Sequence, residues 1–123
     1  MTPSILWLPY AANIIILVPV VWGMFLGGGV ETVFEGKVVE SEGLRLLVGS
    51  LWLAILLGSL AGLFAPRFML PLLLVQIVYK SAWLLAFAMP LGMRTGWDAV
   101  PSGITIVFVG IVLTYPFFVW RAW

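Results

Sequence analysis

The chain contains no cysteine and no histidine. The first absence excludes disulfides, thiolate metal sites and cysteine nucleophiles. The second removes imidazole bases and the histidine ligands of metals and haem. Without cysteine, the redox compartment leaves no mark on the sequence. Charge is nearly as scarce: 9% of the 123 residues are Asp, Glu, Lys or Arg, where soluble domains carry about 25%. Six basic and five acidic residues leave a net charge of +1, too little for a field that draws in nucleic acid, so no nucleic-acid partner is expected. No metal site and no cofactor are expected either.

What the chain has instead is apolar length. Hydrophobic residues make up 63% of it, and the mean hydropathy is +1.19. About 20 apolar residues cross a hydrocarbon layer, and four such stretches are present, near 5–26, 44–64, 68–90 and 102–120. They predict an all-α, integral membrane four-helix bundle in a single domain, 1–123. The polar stretch 27–43 is the first loop. There Thr32-Val33-Phe34 and Val38-Val39 flank Glu35-Gly36-Lys37, a pattern open to a small hairpin or an irregular loop.

The first stretch has no basic n-region, contains Pro9 and Pro19, and lacks a small-x-small cleavage pattern before Gly27, so it reads as a retained helix rather than a signal peptide. Ala65-Pro66-Arg67 is a tight turn that makes the second and third helices antiparallel neighbours. Pro71 suits a first helical turn and Ser102 an N-cap. Pro9, Pro19 and Pro116 are expected to bend their helices and free backbone carbonyls. Tryptophan favours membrane–water interfaces. With four crossings, Trp7, Trp120 and Trp123 share one interface and Trp22 and Trp97 the other, while Trp52 and Trp83 lie mid-span. The basic residues divide almost evenly between the two faces, and both termini are taken as cytoplasmic.

Helices in lipid associate through small residues. Ser50, Ala54, Gly58 and Gly62 follow at four-residue spacing on the second helix and form a candidate packing stripe, for a neighbouring helix or for a second copy of the chain. Glu42 and Arg45 are spaced for an i,i+3 ion pair at the interface. The acidic loop residues Glu31, Glu35, Glu40 and Glu42 lack calcium-loop spacing and read as solvated.

Lys80 is the residue that composition does not explain. It lies about 11 residues, or roughly 16 Å of helix rise, from either end of the third span, too far for its stem to reach water easily. A lysine at the centre of a span costs about 2.5–3.5 kcal/mol on insertion scales. Gln76, Lys80, Trp83 and Phe87 share a helix face with Tyr79 at its edge. With the first helix parallel to the third, and the second and fourth antiparallel to it, matching heights bring Asn13, Trp52, Thr114 and Tyr115 toward them. The candidate ligand-binding cluster is therefore Asn13, Trp52, Gln76, Tyr79, Lys80, Trp83 and Tyr115. No carboxylate is available at that depth, which leaves neutral acceptors, a partner subunit's carboxylate or a ligand to meet the amine.

The run Glu42-Gly43-Leu44-Arg45-Leu46-Leu47-Val48-Gly49-Ser50 resembles a feature of DoxX-like four-helix bacterial membrane proteins, in which an acidic-then-arginine pair leads into a glycine-containing second helix. Length, span order and the polar first loop are similar too. The resemblance implies a bacterial inner-membrane location and an accessory or quinone-proximal role, with no catalytic residues assigned. Small multidrug exporters share the size and span count, but their working carboxylate lies in the first helix, where this chain has only Asn13.

Three functional classes follow. The preferred one is a non-catalytic membrane protein that binds a lipophilic molecule (membrane lipid or a quinone-like ligand) or serves as accessory subunit in a hetero-complex. The second is an oligomeric transporter or channel subunit. The third is an intramembrane lipid-modifying enzyme, for which Lys80 and Tyr79 are the only buried acid–base candidates.

Overall fold

The computed structural model describes residues 5–26, 28, 31 and 33–122. Four helices among them are long and apolar enough to cross a membrane: α1 (Trp7–Leu26), α2 (Glu42–Phe64), α3 (Leu70–Thr95) and α4 (Ser102–Ala122). No strand occurs among the described residues. The exterior is apolar, with Ile15, Val78, Leu113 and Trp120 each more than two-thirds exposed. Trp7, Trp22, Trp97 and Trp120 are also exposed, whereas Trp52 is buried. Trp123 lies outside the described residues.

α1 packs along α2, and α3 along α4. Two apolar clusters join the pairs. At the end holding the chain termini, Leu6 and Tyr10 of α1 with its preceding turn meet Leu70 and Leu73 of α3 and Ile111, Tyr115 and Val119 of α4. Toward the first loop, Leu17 and Met24 of α1 meet Trp52 and Ile55 of α2 and Ile104 and Phe108 of α4. The early part of α3 thus lies level with the late part of α4, as the antiparallel reading requires.

α3 runs five residues past the expected end at Pro90. Residues Leu84–Ala88 form a π-helical turn, with the Met89 amide bonded to the Leu84 carbonyl, before α-geometry resumes over Met89–Thr95. An α-helical ladder would need the N–H that Pro90 lacks. Widening the turn just before the proline lets the helix continue. Pro9 is no bend either: it falls in the first turn of α1, where its missing amide hydrogen was not needed. Pro19 and Pro116 are the prolines inside helices.

The first loop contains a tight turn rather than a hairpin. Lys37 N–H donates to the Phe34 carbonyl at 2.9 Å, around Glu35 (φ 56°) and Gly36 (φ 71°). Two consecutive positive φ values are the hairpin-turn combination. The flanking valines nevertheless pair with nothing strand-like, since the loop is tied to α4 instead. Thr32 lies outside the described residues.

The small-residue stripe is only half a contact face. Gly62 is buried against the Tyr10 ring, and Gly58 faces Leu72 and Met69, but Ser50 and Ala54 are exposed. At about 100° per residue, four-residue steps drift by about 40° each, so the stripe winds out of the groove. The buried line on α2 is Gly49, Trp52, Ile55, Ser59 and Gly62, spaced by threes and fours.

Arg45 pairs with Glu40, Nε to Oε2 at 3.3 Å, and not with Glu42. Its Nη1 also donates to the Met24 carbonyl in the last turn of α1. Carbonyls at a helix end have no partner within their helix, so the guanidinium turns across the helix pair toward that acceptor. Glu42 opens α2 behind its N-cap Ser41.

Candidate functional site

Gln76 and Lys80 stand one turn apart on α3, at 0% and 2% exposure. Lys80 Nζ donates to the Tyr79 hydroxyl at 2.7 Å and to Gln76 Oε1 at 3.3 Å. The same nitrogen lies 4.5 Å from the Tyr79 ring centroid and 4.8 Å from that of Phe108, within range of cation–π attraction. From α2, Trp52 Nε1 donates to the Tyr79 hydroxyl at 2.9 Å. One phenolic oxygen therefore accepts from both sides and ties α2 to α3. Among the described residues, no carboxylate lies within 4.0 Å of the Lys80 nitrogen.

A second polar group sits beside the first and binds the other helices together. Asn13 of α1 donates from Nδ2 to Ser59 Oγ of α2 at 2.9 Å, and Ser59 passes its own proton to the Ile55 carbonyl at 2.8 Å. The Tyr115 hydroxyl of α4 shares its proton between Asn13 Oδ1 and the Pro9 carbonyl. Asn13 is thus satisfied on both its oxygen and its nitrogen, and its role here is to fasten three helices.

Gln76 is not satisfied in this way. Lysine carries donors and no acceptor, so the Gln76 oxygen must face Lys80 and its NH₂ group points away. Among the described residues, that Nε2 is the one buried side-chain nitrogen or oxygen with no hydrogen-bond partner. A buried amide left this way loses about 1–3 kcal/mol relative to a paired one.

Both side chains border a cavity of about 410 Å³. α1 supplies one wall through Ile16, Leu17 and Val20, and α4 the other through Ile104, Val107 and Ile111. Trp52, Phe108, Gln76 and Lys80 close the back, and Glu35 and Gly103 stand at the loop end. A second, almost wholly apolar cavity of about 490 Å³ lies on the far side of Trp52, Ile104 and Phe108, against Phe34, Leu72, Val75, Tyr79 and Trp83. These three residues are a partition with a chamber on either face.

Of the sequence-derived candidates, Trp52, Gln76, Tyr79 and Lys80 form one hydrogen-bonded group, and Asn13 and Tyr115 another. Trp83 joins neither group. It packs on Phe108 at 5.3 Å and Phe87 at 5.2 Å between ring centroids and lines the apolar chamber. Thr114 turns outward and bonds to the Gly110 carbonyl.

Sequence reasoning missed Phe108, Ser59 and Glu35. Phe108 was discoverable, since Ile104, Phe108, Ile111 and Tyr115 keep heptad spacing on α4. Ser59 was signalled as a hydroxyl in an apolar helix. Glu35 gave no local sign. Its carboxylate reaches α4, accepting from Gly103 N–H at 2.7 Å and from Ser102 Oγ at 3.2 Å. Ser102 is accordingly the first residue of α4 and not its N-cap; a loop carboxylate meets the exposed amides of that terminus. The Gly103 hydrogen bond is the main reason the Glu35 carboxyl is held below the usual range, with Ser102 and Lys37 adding to it and partial burial opposing.

Chemically, the residues at the deep end of the cavity carry an amine, an amide and aromatic faces. That is a donor-rich lining suited to acceptor oxygens and hostile to a metal cation. The chain matches no family model, no curated protein and no solved structure.

Proposed function

We propose that this is a non-catalytic integral membrane protein that binds a lipophilic molecule by an acceptor-bearing head, lipid or quinone-like, in the cavity between α1 and α4. The observation that carries this reading is the Gln76 Nε2 group, buried without a partner among the described residues, on a side chain that borders, with Lys80, a cavity of about 410 Å³. Ligand sites typically span about 300–1,000 Å³, mostly apolar with a few converging polar groups. A carbonyl or carboxylate oxygen at Gln76 would give a partner to the one unpaired buried side-chain polar atom among the described residues. Ionisable groups inside membrane spans are functional by default, which favours the same reading.

The test is native mass spectrometry of the full chain purified in mild detergent. A co-purifying lipophilic molecule is expected in the unaltered protein and is expected to be lost in Gln76→Leu and Lys80→Ala. Persistence of the same adduct in both variants, or no adduct and no uptake of added lipid or quinone, overturns the reading.

The DoxX-like resemblance of residues 42–50 supports placing the protein in a bacterial inner membrane with cytoplasmic termini. It also supports its working as accessory subunit of a larger complex to which the bound molecule belongs.

A further inference from the structure

Resting on that reading, we infer that the cavity takes one chemical class of ligand, a single-chain amphiphile with a carboxylate head, whose two oxygens bridge Lys80 Nζ and Gln76 Nε2.

Charge is the first argument. The Lys80 amine is buried, its partners are the neutral Tyr79 hydroxyl and Gln76 Oε1, and among the described residues no carboxylate stands within ion-pair distance. Buried charges are normally paired, so an anion is the partner that would let this amine carry its charge. The chain supplies none: its five acidic residues are Glu31, Glu35, Glu40, Glu42 and Asp98, all outside the spans or at their ends. Glu35 borders the same cavity, but its oxygens are already engaged by Gly103 and Ser102, with Lys37 at 4.0 Å. The loop carboxylate is therefore committed to α4 and does not serve the amine.

Donor count is the second argument. Lys80 and Gln76 lie at i and i+4 on one helix face, so a planar two-oxygen head can take one hydrogen bond from each. A neutral quinone carbonyl presents one oxygen per side of its ring and gives the amine no counter-charge. A phosphate monoester head carries up to two negative charges, more than one amine and one amide can meet.

Shape is the third. The walls are the single faces of α1 and α4 around Leu17, Val20, Ile104 and Val107, apolar apart from Asn13, whose oxygen and nitrogen are already bonded. Those two helices do not pack along each other as α1 does on α2 and α3 on α4. The chamber is thus a cleft between two helix pairs. One acyl chain can lie in it with the head inward, reaching the site sideways from the lipid, whereas the glycerol and two tails of a phospholipid exceed this space.

The experiment uses the full chain in phosphatidylcholine nanodiscs, with palmitate, hexadecanol and decylubiquinone as probes read by native mass spectrometry. Palmitate is expected to bind one-to-one and at least about tenfold more tightly than hexadecanol, the ratio a charge-assisted hydrogen bond provides. Lys80→Gln is expected to erase that preference. Gln76→Leu is expected to weaken both probes, and circular dichroism checks that each variant is folded. Equal affinity for palmitate and hexadecanol in the unaltered chain overturns the carboxylate assignment, and that comparison stands even if Lys80→Gln fails to fold. Should hexadecanol or decylubiquinone bind in a Gln76-dependent way without a palmitate preference, the cavity keeps its proposed function and only this inference falls. If no probe binds, both fall.

Discussion

The Glu35 carboxylate sits across the first turn of α4, 2.7 Å from the Gly103 amide nitrogen. Sixty-eight residues separate the two, so the loop after α1 is pinned to a helix three elements later. The pin holds Glu35 in the left-handed region at φ 56°, where residues with a side chain are uncommon. It also places Val33 against the cavity beside Lys80 and Phe34 against the apolar chamber, stacked on Trp52 at 6.1 Å between ring centroids. One capping interaction thereby seats the loop over both chambers.

A pH-dependent stability follows. The folded Glu35 carboxyl is held below its ordinary range, first by the Gly103 hydrogen bond. A depressed folded value means the contribution is fully present above the ordinary carboxylate range and is lost as pH falls through the folded value. Glu35→Gln is expected to unfold at a lower temperature than the unaltered chain at pH 7. The gap should close from about pH 5 downward. Thermal scans of both proteins in nanodiscs measure it; a gap that does not change with pH removes the carboxylate from this role.

Close approach of α1 and α2 depends on Gly62. A Cβ there would stand 2.6 Å from two Tyr10 ring carbons. The ring cannot swing aside freely, because its hydroxyl donates to the Pro66 carbonyl at 2.7 Å. Gly62→Ala is expected to destabilise by about 1–3 kcal/mol through overpacking, although alanine favours helix by nearly 1 kcal/mol. Gly58→Ala meets only the ends of Leu72 and Met69, which can shift, and is expected to be near neutral. Unfolding titrations in mixed micelles of sodium dodecyl sulfate compare them; equal midpoints contradict the contact.

The Asn13–Tyr115 hydrogen bond is expected to couple the two residues energetically. A cycle of Asn13→Leu, Tyr115→Phe and the double variant should give about 0.6 kcal/mol, with about 1.7 as the upper end for hydrogen bonds inside membrane proteins. Ser59 is a necessary control, because Asn13→Leu also removes the donor that its Oγ accepts from. A coupling indistinguishable from zero would mean that this hydrogen bond does not hold α1 to α4.

Much of this arrangement was legible in the chain, and the reasons differ by residue. The four helices follow from apolar length, which composition reports directly. Gln76, Tyr79 and Lys80 were legible because polar groups in an apolar span must find one another, and α-helical spacing says which can. Trp52 followed from helix height. Arg45 was placed at the right level with the wrong partner: i,i+3 spacing describes Glu42, but the bare carbonyl of Met24 on another helix decides where the guanidinium goes. The small-residue stripe is only half seated within the chain, at Gly58 and Gly62 and not at Ser50 and Ala54, because a four-residue repeat is not a helical period. Glu35 was illegible, since its meaning lies in a contact that only the tertiary fold creates.

Lys80→Met separates a tolerated lysine from a retained one. Removing the amine lifts an insertion cost of about 3 kcal/mol, while Tyr79 and Gln76 each lose a donor worth about 0.6 kcal/mol, a net gain on the order of 1–2 kcal/mol. The ligand-free variant is therefore expected to melt above the unaltered protein, with the Trp52–Tyr79 hydrogen bond intact. If the amine is there for a ligand, the order reverses when palmitate is added. Bound anion raises the midpoint of the unaltered chain with the logarithm of its concentration once that exceeds the Kd, and the variant, lacking the counter-charge, stays where it was. Thermal scans with and without palmitate supply all four values. A variant that is more stable in both conditions, and that responds to palmitate as the unaltered chain does, would make Lys80 a burden the bundle merely withstands.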